Sequence, residues 1–341
     1  MTHFFSCDWG TTAFRLRRVN VADGRVVAEI SEPTGVRAMQ ARYPAGDASA
    51  RATAFASFLR EQLDKMARKD PAALAGVPMV MVSGMASSSV GWREVPYATV
   101  PVGLDGANLR QEVFNLDLAD GRPARIQLIS GLRDSTEMMR GEEVEILGLF
   151  ADDRFAPIAN EGLVLLPGTH SKHVRLRDRQ IIKFHTYLTG ELFEVLATHS
   201  LLAASVQQSG PAALPLTDAA AQMAFEEGVR AAAEGGLARS LFQTRARTVL
   251  QGVSPAANRW FLSGLLIGAE IADLPEREPG IPLLLAAPES SSLAYGLALQ
   301  TLGLAKRLTI VPPAEMSLAA VRGQLRLLHA EGKTPGQPGL K

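Results

Sequence analysis

The chain is poor in the features that would assign it quickly. It has a single cysteine, Cys7, among 341 residues. That excludes an intrachain disulfide and a cysteine-built zinc site, and it fits a reducing compartment. Cys7 sits in the apolar stretch "FFSC", where an inert buried thiol is expected rather than a nucleophile. Lys plus Arg number 35, as do Asp plus Glu, so no net field draws the chain to nucleic acid or to an anionic membrane. Basic stretches interleaved with aromatics are lacking, and nucleic acid is not expected as a partner. The most apolar stretches, "LVLLP" and "FLSGLLIGAEIA", are too short to span a bilayer. The N-terminus lacks the basic start and apolar core of a signal peptide, which leads us to expect a cytoplasmic protein. Neither G-x-x-x-x-G-K-[ST] nor a clean G-x-G-x-x-G occurs, so the P-loop and Rossmann readings lose their usual sign. No solenoid-length repeat is present.

What is there describes a well-cored globular chain, with hydrophobic content of 47% and charged content of 21%. The length favours two domains or one large α/β unit. "FFSCDW" reads as a strand. "RLRRVN" and "GRVVAEI" read as a hairpin joined through Asp23-Gly24. Residues 47–68 carry helix formers with an acidic start and a basic end. "VPMVMVSGM" and "ARIQLISGL" are apolar runs ending in Ser-Gly, as buried parallel strands do when they deliver a loop. "EGLVLLPGTHSKHVRLRDRQIIKF" repeats the opening plan of strand, Gly-Thr turn and returning strand. Helices and strands then alternate to a closing helix in "MSLAAVRGQLRLLHA". The turn-rich "ADDRFAPIANEG" suggests a boundary between domains at 1–150 and 151–330. The tail, residues 331–341, is expected to be disordered.

The opening stretch poses the functional question, because Asp8, Gly10, Thr11 and Thr12 interrupt a core strand. A Gly-Thr-Thr turn offers backbone N–H groups and hydroxyls to an anion, and the adjacent carboxylate could hold a hard cation. On its own the stretch fits a plain hairpin turn with a solvent-facing Asp8 better, because Gly-Thr-Thr turns are common. The second such turn, "LPGTHSK", changes that balance. Two hairpins could each wrap one phosphate group and together grip a triphosphate.

Seven collinear segments carry a closer likeness: "DWGTT" (8–12), "SGMASSSVGWREVPY" (83–97), "ISGLR" (129–133), "MRGEE" (139–143), "LPGTHSKHV" (166–174), "LTGELF" (188–193) and "FLSGLLIGAE" (261–270). Together they resemble the 2-dehydro-3-deoxygalactonokinase family, sugar kinases of the actin and Hsp70 superfamily. "LLLAAPESSSLAY" (283–295) departs from the pattern, with Ala286 and Ala287 where the family has glycine-type positions near the nucleotide base.

The resemblance implies two ribonuclease-H-like α/β domains of the actin-like ATPase kind with an ATP cleft between them. It implies ATP and Mg²⁺ as cofactors, a small sugar acid as substrate, and at most a second copy of the chain as protein partner. Phosphoryl transfer needs the phosphates and Mg²⁺ held and a base aimed at the attacking hydroxyl. Asp8 is then the metal-side carboxylate. Gly10, Thr11 and Thr12 form one phosphate turn, and Gly168, Thr169, His170, Ser171 and Lys172 the other. Two of these have plainer readings, His170 as a turn cap and Lys172 as a solvated side chain. Glu142 is the expected base and Glu143 the next choice, although two glutamates in a first turn also suit the helix dipole. Ser83, Gly84, Met85, Trp92, Arg133 and Arg140 are the substrate candidates, with Arg37 and Arg93 further ones. An arginine fork suits a carboxylate, while Trp92 could stack on the sugar but reads more readily as a core residue. The competing readings are the same fold acting on another sugar acid or polyol, and a non-catalytic nucleotide-binding regulator. The second is weakened because no DNA-binding extension precedes residue 4 and no long substrate-binding segment follows residue 330.

Overall fold

In the computed structural model, residues 1–70, 74, 76–207 and 214–331 are described. The expectation for the tail falls outside them, apart from Glu331 in the closing helix. Two compact units divide the chain, and the division is not a single cut near residue 150. The first unit takes residues 1–159, 179–183 and those from 317 on; the second takes 160–178 and 184–316.

Apolar residues pull β1 (His3–Trp9) into the middle of the first unit's sheet, with Phe4, Cys7 and Trp9 fully buried. β2 (Phe14–Asn20) and β3 (Val26–Glu32) follow as antiparallel neighbours, turning through Gly24 as the sequence predicts. Helix α1 (Ala48–Lys69) starts where the Asp47 carboxylate accepts the Ala50 N–H. It buries Phe55, Phe58, Leu59, Leu63 and Met66 at helical spacing, and its Phe55 and Phe58 rings meet Trp9 at 4.9 and 5.4 Å. β4 (Met79–Gly84) is buried throughout and pairs in parallel with β1.

β5 (Gln111–Asp117) is an edge strand that the sequence did not reveal. Only Leu116 in it is buried, so it has no apolar face to read. β6 (Pro123–Ile129) completes the sheet, in the order β3-β2-β1-β4-β6-β5. Helix α2 (Glu142–Leu149) follows a small three-stranded sheet of residue pairs Ala98–Thr99, Leu132–Arg133 and Met138–Met139.

The second unit repeats the plan. β7 (Glu161–Leu166), β8 (Ser171–Arg177) and β9 (Gln180–Tyr187) form the meander, although the first residues of β9 cluster with the first unit. Helix α3 (Thr189–His199) leads to α4 (Ala219–Gly235) and α5 (Leu237–Gln251). In α5 only Ser240 and Thr244 are fully buried, and of its apolar residues Leu237 and Leu241 pack on the core while Phe242, Val249 and Leu250 are exposed, so its apolar stripe is short. Helix α6 (Pro255–Ile271) runs through the core, with Leu262, Leu265 and Ile271 wholly buried. β10 (Leu283–Leu285), α7 (Glu289–Thr301) and β11 (Leu308–Ile310) give the order β9-β8-β7-β10-β11, with the last three strands parallel and the short pair Val102–Gly103 as a sixth strand against the start of β9. In both sheets a three-stranded meander extends in parallel from its first strand, which is the ribonuclease-H-like arrangement.

The closing helix (Ala319–Glu331) returns to the first unit and crosses α2 where both helices carry glycine. A Cβ at Gly323 would overlap the Val144 carbonyl, and one at Gly148 the Ala319 carbonyl, so the backbones touch. From this helix the buried Gln324 amide donates to the Cys7 carbonyl at 3.0 Å and to Ser83 Oγ at 2.9 Å. It thereby ties the ends of β1 and β4 together.

Candidate active site

At the end of β1 the chain turns through Gly10, Thr11, Thr12 and Ala13, closed by Gly10 N–H donating to the Ala13 carbonyl at 2.9 Å. The carbonyls of Gly10, Thr11 and Thr12 accept the N–H groups of Val36, Arg37 and Gly35 at 2.9, 3.0 and 3.2 Å. The acceptor side of the turn is thus pinned into the protein. Thr11 and Thr12 are exposed, and among the described residues nothing accepts from their N–H groups. Such a turn presents donors outward without competition from its own carbonyls.

Asp8 stands beside it, opposite Arg15 on β2 and Ser83 on β4. Its side chain is 31% exposed and lies 3.8 Å from the Arg15 guanidinium. Desolvation holds the carboxyl above its ordinary range, Arg15 and Arg17 oppose that rise, and the Glu142 charge adds to it. Cys7, next in the strand, is the expected inert thiol, pushed well up by burial and then by Asp8.

Two glycines let α2 approach this corner. Gly84 has φ of +88° and Gly141 φ of +112°, backbone that other residues rarely adopt. A Cβ on Gly84 would lie 2.8 Å from the Trp9 carbonyl and 3.5 Å from Asp8 Oδ1, and one on Gly141 would lie 3.4 Å from Gly84 Cα. The start of α2 therefore rests directly on the Asp8 corner.

Its two glutamates diverge. Glu142 is half-buried and accepts the Arg140 N–H at 3.0 Å. Glu143 is 1% exposed, with both oxygens on the Gly141 N–H at 2.9 and 2.8 Å. Burial, then the Glu142 charge, raises its pKa to about 8. Glu143 is thus mainly a neutral clamp on the loop at pH 7. Glu145, which sequence reasoning missed, is raised well above its ordinary range by burial and then by Asp8, Glu142 and Glu143. Four carboxyl groups share this corner, and the spacing of Glu145 in the helix was the available signal.

A pH prediction follows from Glu143. A carboxyl whose pKa is raised on folding contributes stability below its unfolded value and loses it as pH climbs through the folded value. For Glu143 that window runs from its ordinary 4.5 to about 8. Glu143→Gln keeps the shape of the protonated acid. It should melt close to the wild type at pH 5 and several degrees above it at pH 8.5, as read by calorimetry. Equal melting temperatures at both pH values would show that Glu143 does not titrate in this window.

The substrate candidates separate just as clearly. Trp92 is core, 3% exposed and edge-on to Phe114 at 5.0 Å. Ser83 is buried and held by Gln324. Arg140 spends its guanidinium on the Ser87 carbonyl and hydroxyl at 2.7 and 2.6 Å and on the Val95 carbonyl at 3.2 Å, stacked over Tyr97. Arg93 pairs with Glu112 and stacks on Phe114. Gly84 is buried at the corner and Met85 is partly open beside it, while Arg37 and Arg133 are exposed.

In the second unit the turn between β7 and β8 exposes Gly168, Thr169 and His170. The Thr169 carbonyl accepts the Glu191 N–H at 3.1 Å, and the His170 ring meets the Glu191 carboxylate at 2.5 Å. Among the described residues nothing accepts from the N–H groups of Thr169 and His170. Ser171 and Lys172 differ from expectation. Both are buried because β8 has already begun: the Ser171 hydroxyl meets Tyr295, and Lys172 Nζ donates to the His170 carbonyl at 2.8 Å.

The family model for 2-keto-3-deoxy-galactonokinase matches residues 8–322, which takes in both turns and α2. The chain belongs to that family. It is 34% identical over 276 residues to a Rhizobium meliloti (strain 1021) protein provisionally named 2-dehydro-3-deoxygalactonokinase DgoK1, covering 79% of each chain. It is 33% identical over 229 residues to the 2-dehydro-3-deoxygalactonokinase of Escherichia coli (strain K12), covering 66% of this chain and 71% of that one. A crystal structure of a candidate 2-dehydro-3-deoxygalactonokinase from Sinorhizobium meliloti superposes with a TM-score of 0.76 at 30% identity, over 95% of this chain and 99% of that one. This member of the 2-keto-3-deoxy-galactonokinase family is accordingly a carbohydrate kinase with the actin-like fold. Among its described residues no helix is long and apolar enough to cross a membrane.

Proposed function

We propose that the chain phosphorylates the terminal 6-hydroxyl of 2-dehydro-3-deoxy-D-galactonate in the cytoplasm, with ATP as donor and Mg²⁺ as counter-ion. The observation that carries the reading is the pair of exposed turns, at Thr11–Thr12 and Thr169–His170, whose N–H groups meet no acceptor among the described residues. Oriented N–H groups beside hydroxyls bind phosphate oxygens. The site suits Mg²⁺, since that ion usually takes one or two protein carboxylates plus substrate phosphates, and Asp8 offers one recessed carboxyl next to a donor turn. Bound there, the ion would neutralise charge on the phosphates.

The remaining work falls to the chain's own side chains. Asp8 sets the position of the cation, and Gly10, Thr11 and Thr12 hold one set of phosphate oxygens. Gly168, Thr169 and His170 hold another. Glu142, half-buried at the start of α2, takes the proton from the attacking hydroxyl. Arg133, exposed on the small sheet that leads to α2, supplies a fork for the sugar carboxylate.

The substrate class is tested by coupled ADP release across a panel of sugar acids, neutral hexoses and glycerol. A charge-assisted pair is worth about 1.5–3 kcal/mol. The sugar acid should therefore exceed neutral sugars by roughly 10- to 100-fold in kcat/KM, and Arg133→Ala should erase most of that margin. A neutral sugar with the higher kcat/KM would overturn the assignment.

A further inference from the structure

We propose that Glu270 is a positioning residue that holds the Gly168–His170 turn in shape through a directed chain of hydrogen bonds; the proposal rests on reading that turn as a nucleotide phosphate grip. Glu270 lies on α6 with its side chain 1% exposed. Its Oε1 meets His173 Nε2 at 2.9 Å, and its Oε2 accepts the Tyr295 hydroxyl at 2.6 Å and the Thr189 hydroxyl. The protons can be assigned from these contacts. Arg277 has only donors, and its Nη2 lies 3.3 Å from His173 Nδ1. Nδ1 therefore accepts, the ring carries its proton on Nε2, and the neutral imidazole donates to Glu270. All three neighbours donate, so Glu270 is an acceptor only, as a carboxylate is.

Tyr295 has one proton and gives it to Glu270. At the 2.9 Å contact between Ser171 and Tyr295, the serine must then be the donor. The Ser171 oxygen in turn accepts the Gly168 N–H at 3.4 Å. The chain runs from Gly168 to Ser171 to Tyr295 to Glu270, with every proton directed at one buried charge. Such aligned bonds polarise and strengthen one another. Burial and the Glu270 charge also raise the Tyr295 phenol well above its ordinary range, so it stays a donor.

A second branch converges on the same turn. Thr189, held by Glu270, opens α3, and two residues later Glu191 holds the Thr169 carbonyl and the His170 ring. Both branches face the turn from the protein side. They tie up the Gly168 N–H and the Thr169 carbonyl, and they leave the Thr169 and His170 N–H groups without an acceptor among the described residues.

The test is steady-state kinetics on Ser171→Ala, Tyr295→Phe, their double variant, Glu270→Gln and Gly168→Val. Each of the first two removes a single oxygen and keeps the packing. Losing one bond in a buried chain should raise KM for Mg·ATP about tenfold, with KM for the sugar acid unchanged within about twofold. The double variant should be no worse than the worse single, because both break the same chain. Glu270→Gln, which keeps the size but loses the charge, should raise KM for Mg·ATP at least as far.

Gly168→Val separates the proposal from the reading beneath it. A Cβ there would come no nearer than 3.9 Å to a described atom, so it crowds chiefly what approaches the turn. An unchanged KM for Mg·ATP in a folded Gly168→Val enzyme would overturn the phosphate-grip reading itself. A raised KM in Gly168→Val with unchanged values in Ser171→Ala and Tyr295→Phe would leave the turn and overturn the role of Glu270. Additive effects, or equal rises in KM for both substrates, would overturn it as well.

Discussion

Glu142→Gln is expected to lower kcat by about 10²–10⁴ while KM for Mg·ATP and for the sugar acid stays within a few-fold, because general-base assistance is worth that order. The substitution keeps size, helix entry and the hydrogen bond from the Arg140 N–H. What it removes is a proton acceptor at the partly open position beside Asp8. The competing role, complementing the dipole of α2, is worth roughly 0.3–1 kcal/mol of stability and little catalysis. Single-turnover kinetics together with a thermal melt separate the two. An enzyme that melts slightly lower but turns over normally would leave Glu142 only the structural part. The base would then have to be sought at Glu145, since Glu143 is closed off by burial and by the Gly141 N–H.

Asp8→Asn should lose activity by at least about 10²–10³, the range seen when one preorganised electrostatic group is removed from a reacting centre. The fold should survive. Asn matches Asp in shape, and the native carboxyl is already raised by desolvation and by the Glu142 charge, so neutralising it relieves a strain in the free protein. A small gain in melting temperature should accompany the kinetic loss. Titrating Mg²⁺ in the variant completes the assay: its apparent affinity should weaken in step with kcat/KM. A purified Asp8→Asn enzyme with wild-type turnover at wild-type Mg²⁺ would sink the assignment of this corner.

The fold was legible where burial writes a pattern into the sequence. The wholly buried β4 and the apolar face of α1 both announce themselves, and the two Gly-Thr turns stand out because hydroxyl residues break apolar strands. β5 and α5 were hidden for the opposite reason: β5 buries only Leu116, and in α5 the apolar period is blurred by exposed Phe242, Val249 and Leu250.

The site was legible in its backbone and less so in its side chains. Asp8, the Thr11–Thr12 turn, Gly84 and the start of α2 come together as local motifs imply. Spacing alone could not tell that Arg140 is spent on internal partners, or that Ser171 opens β8 and is buried. Nor could it link Ser171 to Glu270 through Tyr295, since those contacts are made by distant segments meeting in the fold.

The return of the closing helix to the first unit bears on how the protein is made. α2 carries Glu142, yet the surface it packs on is contributed by Ala319 and Gly323, which emerge from the ribosome only after the entire second unit has been translated. Until then the Cys7 carbonyl and Ser83 lack their buried partner Gln324, and the backbone of α2 around Gly148 stands open. Native assembly of the corner around Asp8 and Glu142 is therefore a late, long-range event of the kind that high contact order slows. The nascent chain carries every residue of the Gly168–His170 turn and its supports before the closing helix of its first unit has been made.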